Sequence, residues 1–261
     1  MAFHEKDVAG VRYLYSDLLP CPHGFSTKIG GVSTLAHLQS MNLGDNRGDD
    51  PQNVKENYRR FAFATGLPQK KVFAHQVHEN TVLYITKEQT EQPSCDGFYT
   101  DKEDLALYVK IADCIPILLY APDLPAVAAL HAGWRGTAAG IAREGVKKLV
   151  ALGADPEKMR AAIGVGIGSC CYEVDDPFIK AFLSSLGPEF DRFLERRPEG
   201  TFADLKGANR ELLLRAGLKK EHIDLCPRCT KCENRLFFSH RHTGGARGTM
   251  AAGIALPSKR T

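Results

Sequence analysis

The chain has 261 residues, 43% of them hydrophobic and 25% charged, the composition of a folded globular protein rather than a disordered one. Its formal net charge is +3 and its basic residues are scattered, which excludes the dense basic stretches of a nucleic-acid binder but suits a small anion such as phosphate. The longest apolar runs, such as residues 115–121, are far too short to cross a bilayer, so no membrane partner is expected.

The opening stretch, MAFHEKDVAG, carries acids early and has no apolar segment of the secretory kind, so the cytoplasm is the expected location. Residues 21–50 are rich in Gly, Ser, Asn and Asp and read as loop. Asp50-Pro51 reads as a helix start, with proline at the first helical position. That helix should run through Val54, Tyr58 and Phe61 and stop near Gly66. Residues 72–75 and 82–86 are short and β-rich. Apolar runs at 105–110, 115–120 and 127–131 suit buried strands in a covered sheet, with Pro116 marking an edge or a bulge. After Gly136, the residues Ile141, Val146, Leu149 and Val150 fit one helical face that stops at Gly153. Residues 161–165 read as another strand. The last third predicts helices over 177–186, within 189–197 and over 203–216, and strands at 222–226, 236–239 and 250–256. No repeat or linker interrupts the pattern, and strands and helices alternate without a strict βαβ rhythm. The expectation is one continuous α/β domain over residues 1–261, with a mixed sheet or two packed sheets and helices outside.

Eight cysteines stand at positions 21, 95, 114, 170, 171, 226, 229 and 232. In a chain of this length with no secretory signal they are expected to be reduced, so metal binding or thiol chemistry has to be considered for each. In VKIADCIPILLYAP, residues 109–122, Asp113 and Cys114 interrupt an apolar strand. A buried carboxylate is costly unless paired, so Asp113 needs a partner or the strand's end. Neighbours along a strand face opposite ways, which separates Asp113 from Cys114 unless Pro116 distorts the strand. Taken alone, Cys114 reads as a small core hydrophobe. In VAALHAGWRGTAAG, residues 127–140, an apolar strand ends in His131, turns through Gly133 and opens a helix. That junction is a recurrent ligand site, and Arg135 and the chain's one tryptophan, Trp134, crowd it. In AHQVHEN, His75 and His78 are three apart, and a strand would send them to opposite faces. Together these segments offer two imidazoles and a thiolate. Zinc prefers such donors, and three protein ligands leave a fourth position open for water or substrate.

HQVH, ADCIP, HAGWRG, CCYEV and FFSHR, with FSTKIGGVS and NLGDNRGDDPQNVKEN nearer the start, resemble the motifs of the YfiH/YlmD-like family over nearly the whole chain. That family was long labelled a laccase-like polyphenol oxidase and is now described as zinc-dependent purine nucleoside enzymes. The resemblance implies phosphorolysis of adenosine, inosine, guanosine and methylthioadenosine, together with deamination of adenosine. It implies mixed sheets in an α/β/β/α layered single domain. Carried over position by position, it implies metal ligation by His78, Cys114 and His131, which are also the catalytic candidates. Glu79 departs from the family, which usually has Gly there, and would be strained if its φ had to be positive. His240 stands where an aromatic is common, while Arg247 matches a recurrent position. Arg247, Arg241 and Lys28 are phosphate candidates because Arg forks match phosphate oxygens. Arg135 and Asn42 join the substrate-binding candidates, and Asp96 is expected as an acid, a base or a ligand-orienting group. Partners are then purine nucleosides and phosphate, with the chain a monomer or homodimer.

CPRCTKC, with Cys226, Cys229 and Cys232, has a spacing that suits an iron–sulfur or second zinc site, with a fourth ligand from Cys170 or Cys171. No fourth ligand lies in line, so the reading adopted is of ordinary thiols. Two other classes stand beside the nucleoside enzyme. One is a copper-dependent phenol oxidase, for which a multicopper centre needs many more histidines. The other is a non-catalytic metal-binding protein with a closed site.

Overall fold

The computed structural model describes residues 3–89 and 91–257. In chain order the elements are β1 (Phe3–Val8), β2 (Val11–Ser16), β3 (His23–Ser26), α1 (Pro51–Thr65), β4 (Lys71–Val72), β5 (Val82–Tyr84), β6 (Gly97–Thr100), β7 (Ala106–Ile111), β8 (Ile115–Ala121) and β9 (Ala126–Ala132). There follow α2 (Trp134–Ala138), α3 (Ile141–Ala151), β10 (Arg160–Ile163), β11 (Glu173–Val174), α4 (Asp176–Leu186), β12 (Leu194–Arg197), β13 (Gly200–Ala203), α5 (Leu205–Arg215), β14 (Ile223–Leu225), α6 (His240–Thr243) and β15 (Met250–Ile254). One six-stranded mixed sheet has the order β1-β2-β3-β15-β7-β4, and a second has the order β14-β10-β8-β9-β6-β5.

The period-two alternation of the strands sorts side chains into layers. On β8, Ile115, Ile117 and Leu119 face the helices, while Leu118 faces the other sheet. On β9, Ala126, Ala128 and Leu130 face the helices, and Val127 and Ala129 face the other sheet. On β7, Leu107, Val109 and Ile111 face the second sheet, whereas Ala106 and Tyr108 join Tyr58 and Phe61 of α1. The stack is therefore α1, first sheet, second sheet, and an outer layer of α3, α4 and α5: the α/β/β/α arrangement. Each fully buried Leu or Ile in these layers contributes roughly 1.5–3 kcal/mol.

Helix α1 starts and ends where the sequence places it. The Asp50 side chain caps Gln52 N at 2.8 Å, and Gly66 takes the left-handed conformation at φ 73°. Five expectations need correction. The helix expected within 189–197 is a short 3-10 helix (Pro188–Phe193), and the chain then enters β12, which the turn at Pro198-Glu199 folds back onto β13. Residues 236–239 form no strand; Phe237 and Phe238 are buried plugs ahead of Ser239, whose hydroxyl accepts from His242 N and caps α6. β8 is central, and Pro116 fits because the ladder to β10 begins only at Ile117. Asp113 and Cys114 do not interrupt a strand but form the connection by which the chain leaves β7 in one sheet and enters β8 in the other. Finally, Gly140 at φ 77° breaks α2 from α3, and the buried face of α3 holds Ile141, Val146 and Leu149 while Val150 is 42% exposed. We therefore expect Leu149→Ala to cost about 2–5 kcal/mol of stability and Val150→Ala to stay within about 0.5 kcal/mol. Urea denaturation of the two variants checks this, and equal losses would put Val150 in the core after all.

Candidate active site

The site is built at one end of the second sheet, where β6 and β8 start and β9 ends. Gly97 pairs with Leu130 and Ile115 with Ala132, so Asp96, Cys114 and His131 arrive together at adjacent strand ends. The backbone locks this corner, with His131 N donating to Asp96 O at 2.7 Å. The Asp96 carboxylate is fully buried and accepts from the backbone N–H groups of Val77 at 3.2 Å, His78 at 3.0 Å and Glu79 at 2.8 Å. Its Oδ1 also meets His131 Nδ1 at 2.8 Å. Three successive N–H groups aimed at one anion curl the chain, and the positive φ falls on His78 at 65°, not on Glu79. Glu79 therefore stands at the family's glycine position without that strain. The curl also replaces the strand geometry anticipated for His75 and His78. Both line one cavity, but only His78 joins Cys114 and His131.

In that triad one ligand atom from each residue lies within 4.8 Å of the other two. The His78 and His131 rings sit 4.9 Å apart at 83°. Gly133 closes the back of the group: a methyl on it would lie 2.9 Å from His78 Cδ2 and 3.3 Å from Cys114 Sγ, so no side chain fits. Burial alone would raise the Cys114 thiol, but the facing His131 outweighs it and brings it down to about 6. Burial opposes charge on His131, yet Cys114 and then Asp96 carry it up to about 9. Burial likewise works against the Asp96 carboxylate, and the bond to His131 and the N–H donors hold it below the usual range. The donor set is thus a thiolate and two imidazoles, one of them oriented by a carboxylate on its other nitrogen. That set fits a tetrahedral metal with one position open.

A cavity of about 740 Å³ opens onto the triad, lined also by Arg47, His75, Gln76, Lys110, Arg247 and Thr249. Arg247 is buried and gives Nη1 to Gly248 O at 3.0 Å and Thr249 Oγ1 at 3.1 Å. The Nε groups of both Arg47 and Arg247 are buried with no hydrogen-bond partner. Burial, and next the neighbouring Arg47, pull Arg247 down to about 10. Two guanidiniums brought together with unpaired donors are arranged for an anion. Sequence reasoning passed over Arg47, although it lies in the NLGDNRGDD segment already singled out.

Of the other candidates, Arg135 and Arg241 line a different recess of about 700 Å³ with Trp134, Tyr172 and Phe178. Their guanidiniums lie 4.4 Å over Trp134 and 5.0 Å over Tyr172. Burial and then the charge of Cys114 push the Tyr172 hydroxyl up to about 12. Asp113 is not part of the triad; strand alternation does not explain this, since it lies in the connection at φ 95°, where it accepts from Thr230 Oγ1 at 2.5 Å and Arg241 N at 2.7 Å. Lys28 and Asn42 do not reach the cavity. Lys28 donates to Asn234 O at 2.6 Å in another recess. Asn42 is fully engaged with Gly44, Asp49 and Thr249, so it shapes the loop instead of facing a ligand.

Residues 22–257 match the model of a family described as multi-copper polyphenol oxidoreductase laccase. Over 247 residues the chain is 40% identical to the purine nucleoside phosphorylase YlmD of Geobacillus stearothermophilus, covering 88% of each chain. Over 216 residues it is 37% identical to the purine nucleoside phosphorylase YfiH of Escherichia coli, covering 83% of this chain and 86% of the relative. The crystal structure of the Bacillus licheniformis hypothetical protein YfiH matches with a TM-score of 0.89 at 35% identity, covering 98% of this chain and 99% of that one.

With metal stripped, Cys114 should be alkylated by iodoacetamide with a half-maximum near pH 6, its thiolate being present above that value. His131→Ala should move the midpoint upward, toward an ordinary thiol. Mass spectrometry of the Cys114 peptide reads both, and a wild-type midpoint near the ordinary thiol value of 9.0 would contradict the thiolate–imidazolium pairing.

Proposed function

The chain belongs to the family of laccase-like multi-copper polyphenol oxidoreductases and its YlmD and YfiH relatives, and we propose that it is a zinc-dependent purine nucleoside phosphorylase. One observation carries this: a single cavity is lined by the His78, Cys114 and His131 donors and by two arginines, Arg47 and Arg247, whose Nε groups have no hydrogen-bond partner. The substrates are adenosine, inosine, guanosine and methylthioadenosine, with phosphate as the second reactant, and adenosine deamination belongs to the same reading. The enzyme acts on small molecules in the cytoplasm; among the described residues no helix is long and apolar enough to cross a membrane.

Arg47 and Arg247 hold phosphate, and their fixed charges need no reorganisation as the reaction proceeds. A phosphate oxygen bonds to C1′ of the ribose while the C1′–N9 bond breaks with its electron pair on the purine, which then takes up a proton. The products are ribose 1-phosphate and the free base. His78, Cys114 and His131 hold the zinc, which when bound supplies Lewis acidity and a fixed point of positive charge. Asp96 keeps His131 in one orientation and tautomer.

The copper reading has one observation in its favour, since two histidines and a cysteine also hold type-1 copper. Such a site wants a weak axial Met or Gln. Among the described residues no methionine lines the cavity, and the Gln76 amide is engaged with Lys110 N at 2.6 Å and Lys110 O at 2.8 Å. Anaerobic incubation of the zinc-loaded protein with adenosine and phosphate decides between the readings. We expect adenine and ribose 1-phosphate on chromatography, and none from Cys114→Ala. No turnover by the folded, zinc-loaded protein would sink the phosphorylase reading. Arg247→Ala should lower kcat/KM for phosphate about ten- to a hundredfold, the worth of a charged hydrogen bond, with Arg247→Lys partly restoring it. An unchanged phosphate dependence would remove Arg247 from the anion site.

A further inference from the structure

Two pairs of cysteines that the reaction does not use meet outside the cavity. Strands β10 and β14 are parallel neighbours, so the loops leaving their C-terminal ends run side by side. The first loop carries Cys170 and Cys171, the second Cys229 and Cys232. The loops are tied together by Cys226 N to Ile163 O at 2.9 Å and Thr230 N to Gly166 O at 3.1 Å. The four sulfurs lie within 4.8 Å of one another, and Cys232 Sγ is 3.4 Å from both Cys170 Sγ and Cys171 Sγ. We propose that Cys170, Cys171, Cys229 and Cys232 hold one structural zinc ion through four thiolates.

The spacing selects a single ion. With zinc–sulfur bonds of about 2.3 Å, the edges of a tetrahedron are about 3.8 Å, inside the range seen here. A four-iron cluster places iron and sulfide between its ligands and needs them farther apart. The spacing of CPRCTKC is misleading in one respect, because Cys226 is buried at the end of β14 and takes no part. The ligands missing from that segment come from the other loop.

Two further observations point to charge at this place. Cys229 Sγ accepts from Gly168 N at 3.2 Å, and the backbone N–H groups of Lys231 and Cys232 are directed at the same sulfur. Amide donors converging on the first sulfur of a C-x-x-C turn favour thiolate over thiol. Lys206, only 4% exposed, gives its ammonium to the carbonyls of Cys226 at 2.9 Å and Arg228 at 2.7 Å, with no carboxylate at ion-pair distance among the described residues. A buried ammonium wants a negative neighbour, and four thiolates around a dication leave two negative charges. Cys170 and Cys232 are exposed, so the ion can load without unfolding. All four positions on the metal are then filled, as in structural zinc sites.

The ion clamps two loops that both bond to the connection between β7 and β8: Ile167 N donates to Asp113 O at 2.8 Å, and the second loop reaches the Asp113 side chain. Thr230, next to Cys229, holds the carboxylate of Asp113, and Cys114 follows Asp113. Tyr172 follows Cys171. The inference rests on these four cysteines and is independent of the zinc proposed at the triad.

Elemental analysis of reduced, zinc-loaded protein, dialysed to remove loosely held metal, tests it. We expect two zinc ions per chain in the wild type, one in Cys114→Ala, one in Cys232→Ser, and two in Cys226→Ser. One zinc in the wild type that survives Cys114→Ala and is lost in Cys232→Ser would support this site while refuting the one at the triad. Cobalt loading of the wild type needs no variant, so it decides the matter even if Cys232→Ser does not fold; the intense sulfur-to-cobalt absorption of a tetrathiolate is expected. Its absence, a metal content untouched by Cys232→Ser in folded protein, stoichiometric iron in place of zinc, or a disulfide among these cysteines in protein kept reduced would each overturn the proposal.

Discussion

Everything at the corner that gathers His78, Cys114 and His131 depends on how one buried carboxylate is satisfied. Asp96 has no access to water, so its charge is tolerable only if donors replace the lost hydration. Both oxygens are used: Oδ1 takes His78 N and His131 Nδ1, and Oδ2 takes Val77 N and Glu79 N. A loop and a strand end thereby share a single anion. The loop can wrap it only by turning His78 into the left-handed region, and that turn brings the His78 ring up to the His131 ring. The relation between the two imidazoles is a by-product of solvating Asp96.

The third member of the triad comes by a different route. The chain passes from the first sheet to the second between Ile111 and Ile115, and such a short passage forces Asp113 to φ 95°. A non-glycine residue held there costs of the order of 1–3 kcal/mol. The bonds from Thr230 and Arg241 N to the Asp113 carboxylate hold it in place. Cys114 thus stands at the seam between the sheets because the residue before it is fixed by loops from the far end of the chain.

What the sequence discloses follows from how local each signal is. Helix α1 is legible because its cap, its first-turn proline and its terminal glycine are all local features. Strands β7, β8 and β9 are legible as apolar runs. Strand β1 is not, because FHEKDV lies at a sheet edge with no fully buried residue and carries no alternation to read. At the site, the two histidines and Cys114 stand out in motifs, but the bonding of Asp96 does not, since three of its partners are backbone groups that carry no residue identity. Arg47 eludes a linear reading because it meets Arg247 only in the fold. The cysteine cluster is legible in part: the sequence offers Cys229, Cys232 and Cys170 or Cys171, but CPRCTKC read alone adds Cys226, and only the pairing of β10 with β14 shows which four meet.

The layered core also acts as a ruler. The triad stands on ends of the second sheet, while Arg247 and Thr249 lie on the segment leading into β15 of the first sheet, whose Met250 pairs with Ile111. No hydrogen bond joins Arg247 to His78, Cys114 or His131, so the gap between arginine and triad is measured out by the apolar filling between the sheets, including Leu118, Val127, Ala129, Val109 and Ala252. Packed sheets keep a spacing of about 10 Å that depends on side-chain volume. The reach between arginine and triad is therefore written in the girth of aliphatic side chains that belong to neither.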